Sequence, residues 1–302
     1  MGFPGKRIIG WAGAIATLVG SPACHRDATS AGPSPSASVA AAPDAADEVH
    51  SPIPQELVDS TVNPEHLPPC TGPTGSVEGT VLVIGPPSPE LKIDASQCPA
   101  AIDTYRKLFR EGTPAEPNGP RPLADAVVIA VGYAGCYIPE KSPAKQVTIT
   151  PNCAYTSRTI TMTFGQRLEV TNQSKYPFAP MIESEVSPAV MMAAPLGMGD
   201  PVRLYPRRPG HAAMTDFMQP YVRQDLYALR FPLHTVSNEV GHYRIDGVPV
   251  GKMGVRALHP TVASEAQAPV DIAANVVSKM DITLEYAPKA PKVDENHKQP
   301  IR

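Results

Sequence analysis

The chain has 302 residues, a formal net charge of −3, and charged side chains at 18% of its positions. A chain so close to neutral carries neither the electrostatic footprint of a nucleic-acid-binding protein nor a strong patch for a membrane surface, so we expect no nucleic-acid partner. Its 37 prolines and 22 glycines are typical of a protein rich in turns.

The first 24 residues predict an export signal. Lys6 and Arg7 precede an apolar run over 8–20, and small residues then lead to Cys24. This order is that of a secretory signal peptide, and the apolar run is too short to span a bilayer. Cys24 stands where bacterial lipoproteins carry their lipidated cysteine. We therefore expect an exported protein, on the periplasmic side of the envelope or at the cell surface, that meets the membrane through a lipid anchor only; cleavage nearby without lipidation is the alternative.

Two segments predict disorder. Residues 25–68 consist largely of Ala, Ser, Pro and acidic residues, with little that could be buried. Such a composition cannot offset the entropy of ordering the chain, which predicts a disordered tether. Residues 290–302 are similarly polar and predict a disordered tail.

The body of the chain, residues 69–289, predicts an all-β fold. Short alternating or β-branched runs recur along it and are divided by Pro and Gly clusters, as strands and turns are. Only 99–111 has helix-like spacing, with Ile102, Tyr105, Leu108 and Phe109 three to four residues apart.

Four cysteines remain in this body, and none forms a C-x-x-C pair. An even set in an exported protein indicates two disulfides, with three possible connectivities. Cys70 precedes one predicted strand and Cys136 follows another, so antiparallel pairing of those strands would bring the two cysteines together. That argument favours Cys70 with Cys136 and leaves Cys98 with Cys153.

Three segments resemble the carboxypeptidase regulatory-like domain. They are GSVEGTV over 75–81, AVVIAV over 126–131, and TVSNEVGHYRIDGVPVG over 235–251. The resemblance implies a transthyretin-like β-sandwich of Greek-key type, grouped with the carbohydrate-binding-like folds, built from 69–145 and 231–289.

The intervening residues 146–230 resemble the cupredoxin-like domain of methylamine-utilisation and plastocyanin-type envelope proteins. The likeness rests on NCAYTS over 152–157, GQRLEVTN over 165–172 and YPRRPG over 205–210. It implies a second Greek-key sandwich that interrupts the first.

Copper-binding members of that family supply a thiolate, two imidazoles and a weak axial thioether, a ligand set that makes a redox copper centre. The matching positions here are Phe178, Asp216, Gln219 and Val222. None carries the expected side chain, so we expect no metal and no cofactor at this degenerate copper site.

Methionines are frequent around it, and one histidine, His211, accompanies them. Methionine packs irregular cores, forms adaptable partner surfaces and binds soft metals. All three roles stay open, and the last makes a copper-binding chaperone or degenerate copper carrier the alternative function.

No motif supplies a nucleophile, a base and oxyanion donors together, so we expect a protein that is not an enzyme. We expect a binding or scaffold protein of the envelope with a protein or glycan partner, carbohydrate by fold analogy alone. Its contacts would come from loops over 176–192 and 198–221, where ligand-binding residues usually lie. The candidate ligand surface comprises Tyr176, Tyr205, Tyr221, Met191 and Met192.

Overall fold

The computed structural model describes residues 51–183, 192–262 and 264–288. The predicted signal with Cys24, the first part of the tether, Met191 and the tail over 290–302 lie outside these ranges. Within them are two short α-helices, α1 (Gln55–Val62) and α2 (Ile102–Tyr105), and 3-10 turns at Pro99–Ala101 and Pro195–Gly197. None of these helices is long and apolar enough to cross a membrane.

Strands account for most of the regular structure, which confirms the predicted all-β fold. In chain order they are β1 (Thr74–Ile84), β2 (Arg121–Pro122), β3 (Val127–Val131), β4 (Ala144–Ile149), β5 (Thr159–Thr163), β6 (Arg167–Asn172), β7 (Pro180–Ile182), β8 (Val202–Leu204), β9 (Gly210–Asp216), β10 (Arg223–Leu229), β11 (His234–Val236), β12 (His242–Pro249), β13 (Gly251–Leu258), β14 (Glu265–Ile272), β15 (Val277–Lys279) and β16 (Ile282–Glu285).

Strand β1 organises the first sandwich, which we call the outer sandwich. It pairs with β12 and β2 antiparallel and with β15 and β16 parallel, and a second sheet of order β11-β3-β13-β14 completes the sandwich. Alternate β1 residues, among them Val77, Val81 and Val83, are fully buried in the core. At Gly79 the partner changes from β15 to β16, and a Cβ there would lie 1.8 Å from the Met280 carbonyl oxygen, so only glycine fits.

The second sandwich, here the inserted sandwich, takes its strands from 144–229, between β3 and β11 of the outer one. One sheet has the order β5-β10-β9-β7 and the other the order β4-β6-β8. Two neighbouring pairs, β4 with β6 and β5 with β10, run parallel. Its core includes Met162, Leu168, Met214 and Leu226, all buried.

A buried charge network joins the two sandwiches. Asp125, in the turn before β3, accepts hydrogen bonds at 2.7 Å from both Nε and Nη2 of Arg110. It also accepts from the Ser157 hydroxyl and the Arg158 backbone N–H at 2.8 Å, just before β5. Burial alone would raise the pKa of the Asp125 carboxyl, but the Arg110 guanidinium and these donors hold it below its usual value.

The segment 51–68, predicted to lie in a disordered tether, is folded. Ile53 is buried in the core of the inserted sandwich, and Val58 and Val62 of α1 pack against the same core. A Cβ on Gly165, whose φ is +100°, would lie 2.5 Å from Val58 Cγ1. The average composition of 25–68 gave no indication of these three apolar residues. Gly165, against which Val58 packs, lies far along the chain and outside that segment.

The predicted helix over 99–111 is also shorter than its spacing suggested. It ends at Tyr105, which is buried in the inserted sandwich, whereas Phe109 is buried in the outer one. Backbone hydrogen bonds then link Leu91 N–H to the Arg106 oxygen and Leu108 N–H to the Pro89 oxygen. The chain leaves the helix because its two aromatic anchors belong to different cores.

Both cysteine pairs are disulfides, Cys70–Cys136 and Cys98–Cys153, with Cα separations of 4.8 and 6.3 Å. These are the pairs that the strand argument favoured, but its reason was wrong, because β1 and β3 lie in opposite sheets. The first pair meets instead because Cys70 N–H donates to the Tyr137 carbonyl oxygen, at 2.8 Å, outside both sheets.

His259, which is buried, and His234, which is half-buried, predict acid sensitivity. Burial lowers the pKa of His234 and of His259 to about 4. The unfolded chain therefore binds more protons than the native protein between about pH 6.5 and about pH 4. We expect the free energy of unfolding to fall over this window as the pH falls, by up to about 1.4 kcal/mol per pH unit for each histidine.

Urea unfolding followed by circular dichroism across that window measures the slope. His234→Gln should reduce it by about one proton, whereas His242→Gln, at an exposed position, should leave it unchanged. Equal slopes for the wild type and His234→Gln would contradict the prediction.

Candidate functional site

The degenerate copper site lies at the end of the inserted sandwich where β6 and β9 finish. Phe178 and Val222 are buried, with 0% and 1% of their surfaces exposed, and Asp216 and Gln219 are buried at 4% and 3%. Phe178 and Val222 offer no donor atom, so the four side chains do not fit a copper ion. Among the described residues, no three His, Cys, Asp or Glu side chains group in a way that could hold a metal.

Asp216, one of the four predicted copper-site positions, holds a turn. Its Oδ1 accepts the backbone N–H of Met218 and of Gln219, each at 2.9 Å. Burial raises the pKa of the Asp216 carboxyl, while backbone N–H groups of Ala179, Gln219 and Met218 act in the opposite direction. The carboxylate therefore shapes the loop that follows β9.

Asn172 holds the opposite loop in place. Its Nδ2 donates to the carbonyl oxygens of Tyr176, at 2.7 Å, and Ala193, at 3.1 Å. Its Oδ1 accepts from both the backbone N–H and the hydroxyl of Ser174, and the Ser174 carbonyl accepts Leu196 N–H at 2.7 Å. Hydrogen bonds, rather than ligand bonds to an ion, thus fix the loops at this end.

The methionines and His211 do not meet at this site. Met214 is buried in the core, whereas His211 is exposed on the other face of β9. There its Nε2 lies 2.7 Å from Asp225 Oδ1 and its ring stacks on Tyr227 at 4.6 Å. Met192 and Met218 are exposed, at 61% and 41%. Because successive side chains of β9 point to opposite faces, the His211 imidazole and the Met214 thioether lie on different sides of the strand.

The tyrosines predicted to form one ligand surface are spread over two ends of the inserted sandwich. Tyr176 follows β6, but Tyr205 follows β8, which runs antiparallel to β6 and ends near Arg167. Tyr221 is held inside, with its hydroxyl 3.3 Å from the Cys153 carbonyl oxygen and its ring on edge to Tyr105. The prediction of a single ligand surface was therefore wrong. Strand β8 carries Tyr205 to the other end of the sandwich from Tyr176, and Tyr221 is packed inside it.

Five exposed apolar side chains lie on the loops beside the degenerate copper site, and we call this part of the surface the apolar end. Its loops are joined by hydrogen bonds from Phe217 N–H to the Ala179 oxygen, at 3.0 Å, and from Ala193 N–H to the Phe178 oxygen, at 2.8 Å. The residues of the apolar end are Met192 (61% exposed), Leu196 (64%), Met198 (60%), Phe217 (66%) and Met218 (41%).

Sequence reasoning missed Leu196, which lies outside the two loops predicted to make contacts, and it did not single out Phe217 within the loop 198–221. Leu196 has a φ of +57° inside the 3-10 turn Pro195–Gly197, a conformation unusual for a side chain other than glycine, asparagine or aspartate. That turn directs an apolar residue to solvent. A proline-led turn ending in Gly-x-Gly was the available signal.

No protein-family model and no curated protein matches the chain. Among solved structures, a purple cupredoxin from Nitrosopumilus maritimus is similar, with 16% identity over 28% of this chain and 97% of that chain and a TM-score of 0.22. A copper-containing nitrite reductase from Thermus scotoductus SA-01 is also similar, with 15% identity over 32% of this chain and 25% of that chain and a TM-score of 0.24.

These neighbours are cupredoxin-like, as the resemblance of 146–230 implied. They also correct one expectation. The expectation that this protein is not an enzyme is not upheld, because one of these neighbours is a nitrite reductase. Likeness at these identities extends to fold alone and carries nothing about what this chain binds.

Asp216 provides a test of the site. Asp216→Ala removes two accepted hydrogen bonds from a buried turn and should lower the free energy of unfolding by about 1–3 kcal/mol. Asp216→Asn keeps a carbonyl acceptor but has no carboxyl to ionise. Because the pKa of Asp216 is raised in the folded protein, ionisation of this carboxyl lowers the stability of the wild type as the pH rises. The stability of Asp216→Asn relative to wild type should therefore improve from acidic to neutral pH. Urea titrations of both variants at two pH values measure this, and a fixed difference for Asp216→Asn would contradict it.

Proposed function

We propose that this protein is an exported binding or scaffold protein of the cell envelope that recognises a partner protein through the apolar end. The observation that carries the proposal is that five large, exposed apolar side chains lie on two loops, both hydrogen-bonded to the segment 178–179. Single exposed apolar residues are ordinary, whereas several on adjoining loops are typical of an interaction surface.

The chemistry of the patch favours a protein partner. Phe217 offers a rigid aromatic side chain, and Met192, Met198 and Met218 are flexible and polarizable. Aromatic and methionine side chains are the ones enriched at protein interfaces.

The two disulfides support an oxidising, exported compartment. They join the segments around Cys70 and Cys98 to the loops after β3 and before β5. Lipid attachment at Cys24 is part of the proposal and is supported by the order of charged, apolar and small residues before it.

Phe217 is the residue to change first. Phe217→Ser should weaken the complex with the partner about thirtyfold, because truncating an aromatic anchor costs about 2 kcal/mol. The matched control is Val240→Ser, since Val240 is 65% exposed in a turn of the outer sandwich. The partner, captured from envelope extracts by the wild type and identified, is purified and titrated against each variant. Equal affinities for wild type and Phe217→Ser would contradict the proposal.

Cys24→Ser tests the anchor. In the native host, the wild-type protein should sediment with the membrane and incorporate labelled fatty acid, and the variant should do neither. A variant that still sediments and takes up label would exclude Cys24 as the attachment site.

A further inference from the structure

The two disulfides lie in different surroundings. Cys98 and Cys153 are 7% and 0% exposed and belong to the core of the inserted sandwich. Cys70 and Cys136 are half-buried and lie between strands, outside every sheet. Thiol–disulfide exchange requires a thiolate to reach a sulfur atom, so a buried bond reacts only when the structure around it opens. The Cys70–Cys136 bond is therefore the one that a reductant can reach in the folded protein.

A groove gives access to this bond from the side of Cys136. Its volume is about 430 Å³, and Cys136 is part of its lining, whereas Cys70 is not. The remaining walls come from the end of α1 with the residues that follow it, from the end of β3 with the loop after it, and from Arg230 and Phe231. Cys136 is thus the sulfur that an incoming thiolate meets first.

A glycine lies close to each of these cysteines in the chain. Gly135, directly before Cys136, has a φ of +78°, and Gly72, two residues after Cys70, has a φ of +128°. Both glycines are exposed, and a Cβ on either would have no other atom within 4 Å. The chain beside each cysteine therefore has both the space and the conformational freedom to move when the bond is broken.

The bond anchors one end of the segment 51–70, which we call the strap. Of the strap residues only Ile53 is buried, while Val58 and Val62 are partly covered by the core of the inserted sandwich. Its helix α1 has eight residues and none of them is fully buried. A helix of that length is marginal in water without packing. The strap is thus weakly held along most of its length.

Its hydrogen bonds to the rest of the protein lie beside the disulfide. Cys70 N–H donates to the Tyr137 carbonyl oxygen at 2.8 Å, and Tyr137 N–H donates to the Pro68 carbonyl oxygen at 3.0 Å. Tyr137 follows Cys136 directly, so the disulfide holds together the two segments that form these hydrogen bonds. Breaking the covalent bond weakens the whole attachment of the strap at this end.

We propose that Cys70–Cys136 is a redox switch, and that its reduction by a dithiol releases the strap. One thiolate of the dithiol attacks Cys136 Sγ, so that a mixed disulfide forms and Cys70 leaves as a thiolate that takes a proton from water. The second thiol of the dithiol, as its thiolate, then displaces Cys136. Two electrons pass to the cysteine pair, and the dithiol becomes a disulfide.

Release of the strap exposes the surface that it covers. Val58 lies over Gly165, where a Cβ would come within 2.5 Å of Val58 Cγ1, and Phe164 lies beside it. The buried Cys98–Cys153 bond stays intact and keeps the two sandwiches joined. The reduced protein therefore keeps its two cores and gains an apolar surface at Phe164 and Gly165, separate from the apolar end.

Reduction of the mature chain tests the accessibility of the two bonds. With dithiothreitol as the dithiol, timed alkylation and peptide mass spectrometry should show Cys70 and Cys136 reduced at least about tenfold faster than Cys98 and Cys153. Glutathione, a monothiol, stops at the mixed disulfide. After an early quench with N-ethylmaleimide, glutathione should be found on Cys136 and the alkyl group on Cys70. Equal rates for the two pairs, or glutathione on Cys70 in place of Cys136, would contradict the proposed exchange.

Hydrogen exchange tests the release itself. In the selectively reduced protein, and in the variant Cys70→Ser with Cys136→Ser, amides of the strap should exchange about tenfold faster or more than in the oxidised wild type. Amides of β10, in the core sheet of the inserted sandwich, should keep their protection and show that the body is folded. An unchanged strap after reduction, or loss of protection in β10 together with the strap, would overturn the switch.

Discussion

The Asp125 carboxylate is the constraint on which the arrangement of the two sandwiches depends. It lies in the outer sandwich, with 2% of its surface exposed, yet two of its donors, Ser157 and Arg158, belong to the start of the inserted one. A charge buried this deeply is tolerated only while its partners are in place. Since Asp125 itself adopts a φ of +65°, the turn before β3 is strained to bring the carboxylate there. The network therefore makes separation of the sandwiches costly.

The segment between β1 and β2 strengthens that union. Tyr105 enters one core and Phe109 the other, four residues apart, and Cys98 in the same segment is bonded to Cys153 of the inserted sandwich. An insertion joined only at its two crossing points could hinge about them. Here a third covalent connection and a pair of aromatic anchors oppose such a motion.

Much of the fold could be predicted because its signals are local. The alternation along β1 and the turn residues around Gly247 can be recognised within a few residues of sequence, and the four cysteines allow only three pairings. What failed depended on distant contacts. Helix α1 forms because Gly165, a hundred residues later, leaves room for Val58, and Tyr205 lies far from Tyr176 because β8 runs antiparallel to β6. The exposure of Leu196 and Phe217 is set by backbone conformation and neighbouring strands, for which a short window of sequence carries little signal.

The filling of the copper-type centre by Phe178 and Val222 has a consequence for how this surface is produced in the cell. A loop shaped by metal ligands reaches its final form only after an ion has been delivered, and it is lost to chelators or to competition from other metals. Loops held by Asn172 and Asp216 acquire their form during folding itself, from groups that the chain always carries. Formation of these loops then depends on hydrogen bonds within the chain, and not on an ion held at Phe178, Asp216, Gln219 and Val222.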